Sequence, residues 1–245
     1  MRDQLVWMGA GTLAEEESGT RVSAVIGALT RHIRLQELSP GDRLPSEADI
    51  AKELGVSRAV VREAYQSLAA MRLIDLSAGK RATVAALDFS AMSPVIEHGV
   101  STDQITIHQI YDVRRTIEMR TSALAALRRS DEQAENICRF AALMRASVEK
   151  PGVLMEHDLV FHLEIAKAAR NPVFTLIVGA FEGATRHTWP IGWRTRTMPV
   201  DQRRMLGIHA DIAEAIRAGD PLAAQKHMAL HFDESVRALL AAGIS

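Results

Sequence analysis

The fold of this chain depends on the stretch Gly55-Val56-Ser57-Arg58-Ala59-Val60-Val61-Arg62-Glu63. It predicts a tight turn that leads into a helix, because Gly55 suits the left-handed end of a preceding helix and Ser57 is a typical N-cap. The preceding helix is short and begins at Ser46, an N-cap with Asp49 three residues later in the reciprocal capping position. Helical spacing predicts the buried face of the second helix, formed by Val61, Ala64, Leu68 and Met71.

Two arginines lie one turn apart on the second helix. Arg58 and Arg62 share a face that differs from the predicted buried face. Beyond this helix, short extended runs at 72–76 and 82–84 flank a basic tip at 77–81, which predicts a small β-hairpin. Two short helices followed by such a hairpin form a winged helix-turn-helix. In that fold the second helix contacts base edges in the major groove, and the hairpin tip contacts phosphates or the minor groove.

These residues resemble the GntR family of bacterial transcription regulators. The resemblance rests on Leu44-Pro45-Ser46-Glu47, Ser57-Arg58, Val61-Arg62-Glu63-Ala64 and Gly79-Lys80. It implies that Arg58 and Arg62 read the operator. The predicted DNA-binding residues are Ser46, Ser57, Arg58, Arg62, Gly79, Lys80 and Arg81.

The chain departs from the family pattern at two places. Ala48 stands where many relatives have an arginine. In the wing, Arg81 and Thr83 replace a glycine and an aromatic residue. One DNA contact of the relatives is therefore expected to be absent or supplied elsewhere, and the extra wing charge of Arg81 is expected to compensate in affinity.

Length and composition favour a mostly helical protein with two domains. The chain has 245 residues, enough for two cores, and is 47% hydrophobic but only 4% aromatic. Residues 18–85 carry 10 Lys and Arg against 7 Asp and Glu, so positive charge is concentrated on the predicted DNA-binding domain. Charge-free stretches reach only 11 residues, too short for a transmembrane helix. With no signal-like start and a single Cys138, we expect a cytoplasmic protein with no membrane partner.

Periodicity and helix-breaking residues divide the chain into four parts. We predict a flexible tail at 1–17, the winged domain at 18–85, a linker with room for a helical turn at 86–103, and an all-α domain at 104–245. The last part is predicted to be an antiparallel bundle of six helices, with a break in the helical pattern at 189–193. The apolar stripe of its first helix is predicted to contain Ile107, Ile110, Val113, Ile117 and Leu124.

Four residues of the helical domain form a candidate metal site. Asp158 and His162 are four apart and lie on one face of a helix. His209 and His231 lie on the fifth and sixth helices of the bundle, among apolar neighbours that are expected to face inward. Three imidazoles and one carboxylate from three helices would suit a divalent transition metal. The alternative is a layer of hydrogen-bonded polar side chains without an ion.

The region around the first two ligands resembles the FCD effector domain of one GntR subfamily. The matching residues are Asp158-Leu159-Val160-Phe161-His162, Ile165-Ala166 and Asn171-Pro172. The resemblance implies that Asp158, His162, His209 and His231 are the metal ligands. Zn²⁺ is the conservative choice of ion, with Ni²⁺ or Mn²⁺ as alternatives. The resemblance also implies a small carboxylate effector: a sugar acid, a hydroxy acid or a dicarboxylate.

Arg114 is the candidate for direct contact with the effector. It lies in Tyr111-Asp112-Val113-Arg114-Arg115-Thr116-Ile117-Glu118, which resembles the first helix of that domain, and a guanidinium offers paired donors to a carboxylate. The alternative is an ion pair between Arg114 and Glu118 across one helical turn. The residues considered for the pocket mouth are Arg186, Trp189, Trp193 and Arg194, with packing as the alternative role for the tryptophans.

The implied function is that of a homodimeric transcription regulator, a repressor, which binds double-stranded operator DNA under the control of a small organic acid. One alternative is a regulator that senses the metal ion itself. The other is a metal-dependent hydrolase. The hydrolase lacks support because there is no His-Glu-x-x-His motif and Glu164, two residues after His162, is expected to face away from the metal. We therefore expect no enzymatic activity.

Overall fold

The computed structural model describes residues 18–244 and divides into two compact units, with the division between residues 91 and 92. The predicted tail at 1–17 lies outside the described residues. The described chain contains eleven helices and one antiparallel sheet of two strands, which confirms the mainly α class with a small hairpin. None of the helices in this described part is both long enough and apolar enough to cross a membrane.

The first unit is a winged helix-turn-helix. Its elements are α1 (Ser18–Leu35), α2 (Glu47–Leu54), α3 (Arg58–Ala70), β1 (Ile74–Asp75) and β2 (Thr83–Val84). The predicted caps are present. The Asp49 N–H donates to Ser46 Oγ at 3.2 Å and the Val60 N–H donates to Ser57 Oγ at 3.3 Å. Gly55 ends α2 in the left-handed conformation, with a φ of 67°.

The three helices of this unit pack around one apolar core. Its fully buried members are Val25, Leu29, Ile50, Val61, Ala64, Leu68 and Ile74. The prediction was wrong for Met71, which is 46% exposed. Met71 caps the end of α3, and Arg72 after it has a φ of 57°, so the helical spacing no longer applies there. Tyr65 is buried instead, and its hydroxyl donates to Pro45 O at 2.7 Å, which fixes the loop before α2.

The wing is shorter than the predicted runs but is supported from one side. Ile74 pairs with Val84 and Asp75 pairs with Thr83. The segment before α2 continues the pairing, because the Leu44 N–H donates to Ala82 O at 2.9 Å. The wing is therefore held by backbone hydrogen bonds to the segment that leads into the helix-turn-helix.

All regular secondary structure described in the second unit is α-helical. Its helices are α4 (Ser93–Ser101), α5 (Ile107–Arg128), α6 (Asp131–Ala146), α7 (Pro151–Ala168), α8 (Pro172–Ala180), α9 (Glu182–Arg194), α10 (Pro199–Ala218) and α11 (Pro221–Ala241).

Two features of these helices differ from the sequence prediction. Residues 189–193 lie inside α9, so the expected break there was wrong, and the helical pattern breaks instead at Phe181. Pro190 cannot donate a backbone hydrogen bond, but burial of Trp193 against the bundle stabilises α9 beyond it. A regular helix, α4, occupies 93–101, where the sequence suggested no more than a helical turn. Within 104–244 the structure thus has seven helices rather than the predicted six, and α4 brings the second unit to eight.

Helix α5 packs against α7, α10 and α11 and carries a polar buried face. Val113, a member of the predicted apolar stripe, is 45% exposed, whereas Arg114, Glu118 and Thr121 are at most 5% exposed. The sequence prediction placed the buried face of α5 along its apolar residues. The face that is actually buried also includes the charged residues Arg114 and Glu118. Such charges are stable inside a bundle only when they are paired.

Candidate metal centre

Four side chains from three helices converge in the interior of the second unit. Asp158 and His162 come from α7, His209 from α10 and His231 from α11. One potential ligand atom of each lies within 4.8 Å of the others. All four residues are between 3% and 5% exposed. The structure therefore brings together the four residues that the sequence singled out.

His209 turns its Nε2 nitrogen toward Asp158. Its Nδ1 lies 2.9 Å from Met205 O, and a carbonyl oxygen can only accept, so Nδ1 carries the proton of the neutral ring. The other nitrogen, Nε2, lies 2.8 Å from Asp158 Oδ1 and has no hydrogen-bond partner. Two acceptors therefore face each other at hydrogen-bond distance. Only a second proton on the ring or a cation between the two atoms makes this contact favourable.

His162 is oriented by Glu118 of α5. Its Nδ1 lies 2.5 Å from Glu118 Oε2. Burial acts to raise the pKa of Glu118, but Arg114 and His162 lower it overall, so Glu118 is a carboxylate that accepts from Nδ1–H. The free nitrogen of His162, Nε2, lies 3.9 Å from Asp158 Oδ1. Sequence reasoning did not connect Glu118 with His162, because the contact spans 44 residues and joins two helices.

The protonation states suit metal binding. Burial, followed by the proximity of His209 and His162, holds the pKa of His231 well below its ordinary value, so this imidazole is neutral. Burial acts to raise the pKa of Asp158, but the neighbouring histidines and Arg114 hold it below its ordinary value. A neutral imidazole and an ionised carboxylate are the forms that ligate metal ions.

The cluster leaves buried polar atoms without partners. Within the described residues, His162 Nε2, His209 Nε2 and His231 Nδ1 have no hydrogen-bond partner. Each such buried atom costs about 1–3 kcal/mol, so a stabilising polar layer would not be expected to contain three of them beside a carboxylate. Imidazole nitrogens and carboxylate oxygens are ligands of Zn²⁺, Ni²⁺ and Mn²⁺. The residues fit a divalent metal ion.

Arg114 is engaged within the bundle. Its Nε donates to Glu118 Oε1 at 2.8 Å, and its Nη1 donates to Thr185 Oγ1 at 2.8 Å. The ion pair with Glu118 across one turn, considered as the alternative, is therefore present. Arg114 also lines the cavity beside the cluster. A guanidinium has five N–H donors, and these two contacts use two of them.

A cavity adjoins the cluster, with an empty volume of ≈ 530 Å³ that includes its opening to solvent. Asp158, His209 and His231 form part of its wall. The polar and aromatic remainder of the wall includes Tyr111, Arg114, Thr185, Thr188, Trp189, Trp193, Arg196 and Ser235. A small polar molecule in this cavity would thus contact the cluster directly.

Two of the four residues considered for the pocket mouth line the cavity. Trp189 and Trp193 do so, with their rings stacked 5.2 Å apart at an interplanar angle of 13°. Arg186 instead pairs with two glutamates, and Arg194 is exposed. The arginine that joins Arg114 in the wall is Arg196, which sequence reasoning missed. Arg196 lies just beyond the end of α9, so no helical periodicity in the sequence indicates which way its side chain points.

No catalytic base accompanies the cluster in the cavity wall. Glu164 accepts from Asn136 Nδ2 and Lys167 Nζ, each at 2.7 Å, on the side of α7 that faces α6. Asp158, itself a candidate ligand, is the only carboxylate among the residues that line the described cavity. The arrangement suits ligand binding better than metal-assisted hydrolysis.

The basic residues selected for DNA binding lie on the surface of the first unit. The Arg62 side chain is 60% exposed, and its Nε lies 3.4 Å from Glu47 Oε2. Such an exposed ion pair is weak, so Arg62 can exchange Glu47 for another acceptor. The other basic members of the set, Arg58, Lys80 and Arg81, are exposed as well.

The remaining members of the set have structural roles in the same unit. Ser46 and Ser57 cap α2 and α3, so their hydroxyls already satisfy helix N-termini. Gly79, at the wing tip, has a φ of 71°, a conformation that favours glycine. These residues shape the elements that present the arginines.

A winged helix-turn-helix with exposed arginines on its second helix, followed by a helical unit that contains a cavity beside an Asp/His cluster, defines the class of DNA-binding transcription regulators. The chain belongs to the GntR family of bacterial regulatory proteins, whose model matches residues 21–84, and it carries an FCD domain that matches residues 109–234, more than half of the chain.

Similar proteins support this assignment. The HTH-type transcriptional regulator LutR of Bacillus subtilis is 28% identical over 207 residues, which cover 81% of this chain and 92% of LutR. The galactonate operon transcriptional repressor of Escherichia coli is 26% identical over 225 residues, which cover 89% of this chain and 96% of the repressor. The solved structure of Streptococcus agalactiae GntR has the same fold, with a TM-score of 0.66 and 24% identity, covering 88% of this chain and 98% of that one. The family and these relatives are regulators, not enzymes.

Proposed function

We propose that this protein is a repressor whose affinity for operator DNA is controlled by a small organic acid bound at a divalent metal ion, with Zn²⁺ as the first choice. The observation that carries the proposal is the set of unpartnered imidazole nitrogens beside Asp158. Part of this set lies in the wall of a cavity that opens to solvent. When bound, the ion would supply a Lewis acid for an oxygen of the ligand.

The cavity wall favours an acid as the ligand. Two guanidinium groups, from Arg114 and Arg196, lie in the same wall as the cluster, and both can donate to a carboxylate. The relative named for the galactonate operon is consistent with this chemistry, because galactonate is a sugar acid. A sugar acid, a hydroxy acid or a dicarboxylate satisfies these requirements.

Operator binding is assigned to the first unit. Arg58 and Arg62 on α3 would contact base edges in the major groove, and Lys80 and Arg81 on the wing would contact the DNA backbone, with Ser46, Ser57 and Gly79 supporting them. A homodimer would place two α3 helices on the two halves of a pseudo-palindromic operator. The exposed arginines support this assignment.

The proposed control works through different affinities of the acid for two conformations. The cavity wall contains residues of α5, α7, α9, α10 and α11, so a ligand that contacts several of them favours one relative position of these helices. Helix α4, the first element after the segment that joins the two units, packs against α9. A shift of α9 would therefore reach α4 and the joining segment at 86–92. Release of DNA by the acid would make the protein a repressor that is relieved by its effector.

The test compares the wild type with His209→Ala and with the control His227→Ala. His227 lies one turn before His231 on the same helix but belongs to no described contact with the cluster. Metal content is measured by mass spectrometry, and binding to an operator selected from random DNA is measured with and without acids of the three classes. We expect a bound divalent ion in the wild type and His227→Ala but not in His209→Ala. We also expect acid-induced release of DNA only from proteins that hold the ion.

Two other outcomes would reject the proposal in different ways. If the ion changes DNA binding and no acid has any effect, the ion itself is the signal. If neither the wild type nor the control takes up a divalent ion, the cluster is a polar layer of the core and the effector binds elsewhere.

A further inference from the structure

Arg196 is a half-buried arginine without an ion-pair partner among the described residues. Its Nη1 donates to Gly192 O at 2.7 Å and its Nη2 donates to Glu234 O at 3.4 Å. Both acceptors are backbone carbonyls, which position the guanidinium without neutralising it. These contacts use two of its five N–H donors. The side chain is thus held in place with most of its donors available.

The position of Arg196 connects it with the cluster. It lines the cavity to which Asp158, His209 and His231 also contribute. It lines, in addition, an open groove on the surface of the second unit. A ligand in the inner cavity can therefore contact the cluster and Arg196 together.

None of the neighbouring carboxylates among the described residues forms an ion pair with Arg196. Glu234 pairs with Arg204 at 2.8 Å and with Arg237 at 2.6 Å. Asp201 is exposed on the first turn of α10. Asp158 belongs to the cluster, where a divalent ion would take up its charge. Burial lowers the pKa of Arg196, as expected for a cation that loses water without gaining a partner.

A charge count of the site indicates how many negative groups a ligand should bring. The charges of Arg114 and Glu118 cancel within their ion pair. A divalent ion held by one carboxylate and three neutral imidazoles keeps one excess positive charge. Arg196 adds a second. Because uncompensated charge in a partly desolvated site is costly, a ligand with two negative groups is favoured over a ligand with one.

We infer that Arg196 is the second anchor of the effector and that the effector is a dicarboxylate, with one carboxylate at the cluster and the other at the guanidinium of Arg196. This inference rests on the proposed function, of which it narrows the ligand class. Arg114 holds Glu118 in this arrangement, whereas Arg196 selects for the second carboxylate. Two parallel hydrogen bonds between a guanidinium and a carboxylate add both binding energy and geometric specificity, so they favour a ligand with a second carboxylate.

The test is calorimetric titration of the metal-loaded full chain with matched pairs of acids, succinate against butyrate and glutarate against valerate. We expect the better dicarboxylate to bind about 10- to 100-fold more tightly than its monocarboxylate partner. Arg196→Gln is expected to remove this preference and to leave the affinity for the monocarboxylate unchanged. The matched control is Arg194→Gln, because Arg194 is exposed and lies two residues earlier. It should keep the preference.

A further variant separates binding from folding. Arg196→Lys retains the charge but not the bidentate geometry, so it should keep part of the preference even if Arg196→Gln does not fold. Thermal unfolding of each metal-loaded variant without acid shows whether it is folded.

The outcomes distinguish this inference from the proposed function. The inference alone would be overturned if monocarboxylates bind in a metal-dependent way and dicarboxylates bind no more tightly. It would also be overturned if Arg196→Gln lowers the affinities for the monocarboxylate and the dicarboxylate equally. If dicarboxylate binding needs Arg196 but is unchanged when the metal is removed, the metal does not bind the effector. The proposed function would then be overturned, while Arg196 would remain an anchor of the effector. Absence of acid binding in every form of the protein would overturn both.

Discussion

Glu118 bridges Arg114 and His162: its Oε1 accepts from Arg114 Nε at 2.8 Å, and its Oε2 lies 2.5 Å from His162 Nδ1. All three residues are buried. A single carboxylate thus fixes the tautomer of a candidate ligand and compensates the charge of an arginine in the cavity wall. Helix α5, which carries Arg114 and Glu118, is thereby hydrogen-bonded to a member of the cluster.

Glu118→Gln tests this bridge. The substitution keeps the size of the side chain but removes the negative charge that accepts from His162 Nδ1 and orients its ring. Metal affinity is expected to fall by about 10- to 100-fold, as measured by competition with a chelator of known affinity. Glu164→Gln is the control, because Glu164 lies on α7, two residues after His162, but contacts Asn136 and Lys167 rather than the cluster. If the two variants have equal metal affinities, Glu118 does not support His162 as a metal ligand.

Removal of the metal is expected to lower thermal stability. An ion at about 100 times its dissociation constant stabilises the folded state by about 2.7 kcal/mol. For a unit of this size, that corresponds to a melting temperature about 5–10 °C higher. Differential scanning calorimetry with and without a chelator measures the difference, which should vanish in His209→Ala and persist in His227→Ala. A chelator effect of the same size in all three proteins would indicate a metal bound elsewhere.

Arg62→Ala and Lys80→Ala should weaken DNA binding in different ways. Arg62 lies on the second helix of the motif, so its loss is expected to cost about 1–3 kcal/mol of operator affinity and to relax one base preference. Lys80 lies at the wing tip, so its loss should weaken binding to operator and random DNA alike, with a smaller dependence on salt. Fluorescence anisotropy with both kinds of DNA distinguishes the two patterns. Equal losses on both DNAs for Arg62→Ala would contradict base reading.

The first unit should lose stability in acid through Asp88. The backbone N–H of Ser90, then its hydroxyl and Arg72, lower the pKa of Asp88 from 3.8 to about 2. Because the folded pKa is depressed, the contribution is fully present above the ordinary pKa and is lost as the pH falls from 3.8 through about 2. Solvent screening keeps it small.

Asp88→Asn should therefore reduce stability at neutral pH and converge with the wild type near the lower end of that range. Urea unfolding followed at several pH values measures the effect. The control is Asp75→Asn, at the exposed position of the first wing strand, which has no described contact with Asp88, Ser90 or Arg72. A constant difference between Asp88→Asn and the wild type at all pH values would exclude the ionised carboxylate as the cause.

Gly183 allows close contact between α4 and α9. A Cβ there would lie 1.5 Å from Glu97 Oε1, so Gly183→Ala must displace Glu97, which accepts from Ser93 Oγ at 3.1 Å. Because the clashing atoms are the far end of a flexible side chain, we expect a loss of at most about 1 kcal/mol in urea unfolding, reduced in a Glu97→Ala background where the clash is absent. Gly207→Ala is the control, because nothing lies within 4 Å of its added Cβ. An equal cost of Gly183→Ala in both backgrounds would mean that the clash with Glu97 does not determine it.

Local interactions account for the parts of the structure that the sequence predicted well. The caps at Ser46 and Ser57 and the left-handed Gly55 depend on contacts over three or four residues, which a sequence pattern contains directly. The spacing of Asp158 and His162 places them on one face of any helix that includes both. That His209 and His231 face the same point was predicted from apolar neighbours and from a resemblance, and the structure brings the four together.

Non-local contacts explain what the sequence prediction missed. Val113 is apolar and exposed while Arg114 is charged and buried, because Glu118 and Thr185 compensate the guanidinium inside the bundle. Residues 189–193 stay helical around Pro190 because tertiary packing outweighs the lost hydrogen bond.

The sequence by itself determined the winged helix-turn-helix, the helical character of the second unit and the identity of the four clustered residues, because helix signals, caps and ligand types are local properties of the chain. Only the tertiary structure decided which polar groups share the interior. It placed Glu118 against His162, turned bare imidazole nitrogens toward Asp158 and set Arg196 in the cavity wall. These relationships join residues far apart in the chain, and burial and charge compensation between packed helices, rather than any periodic pattern, determine them.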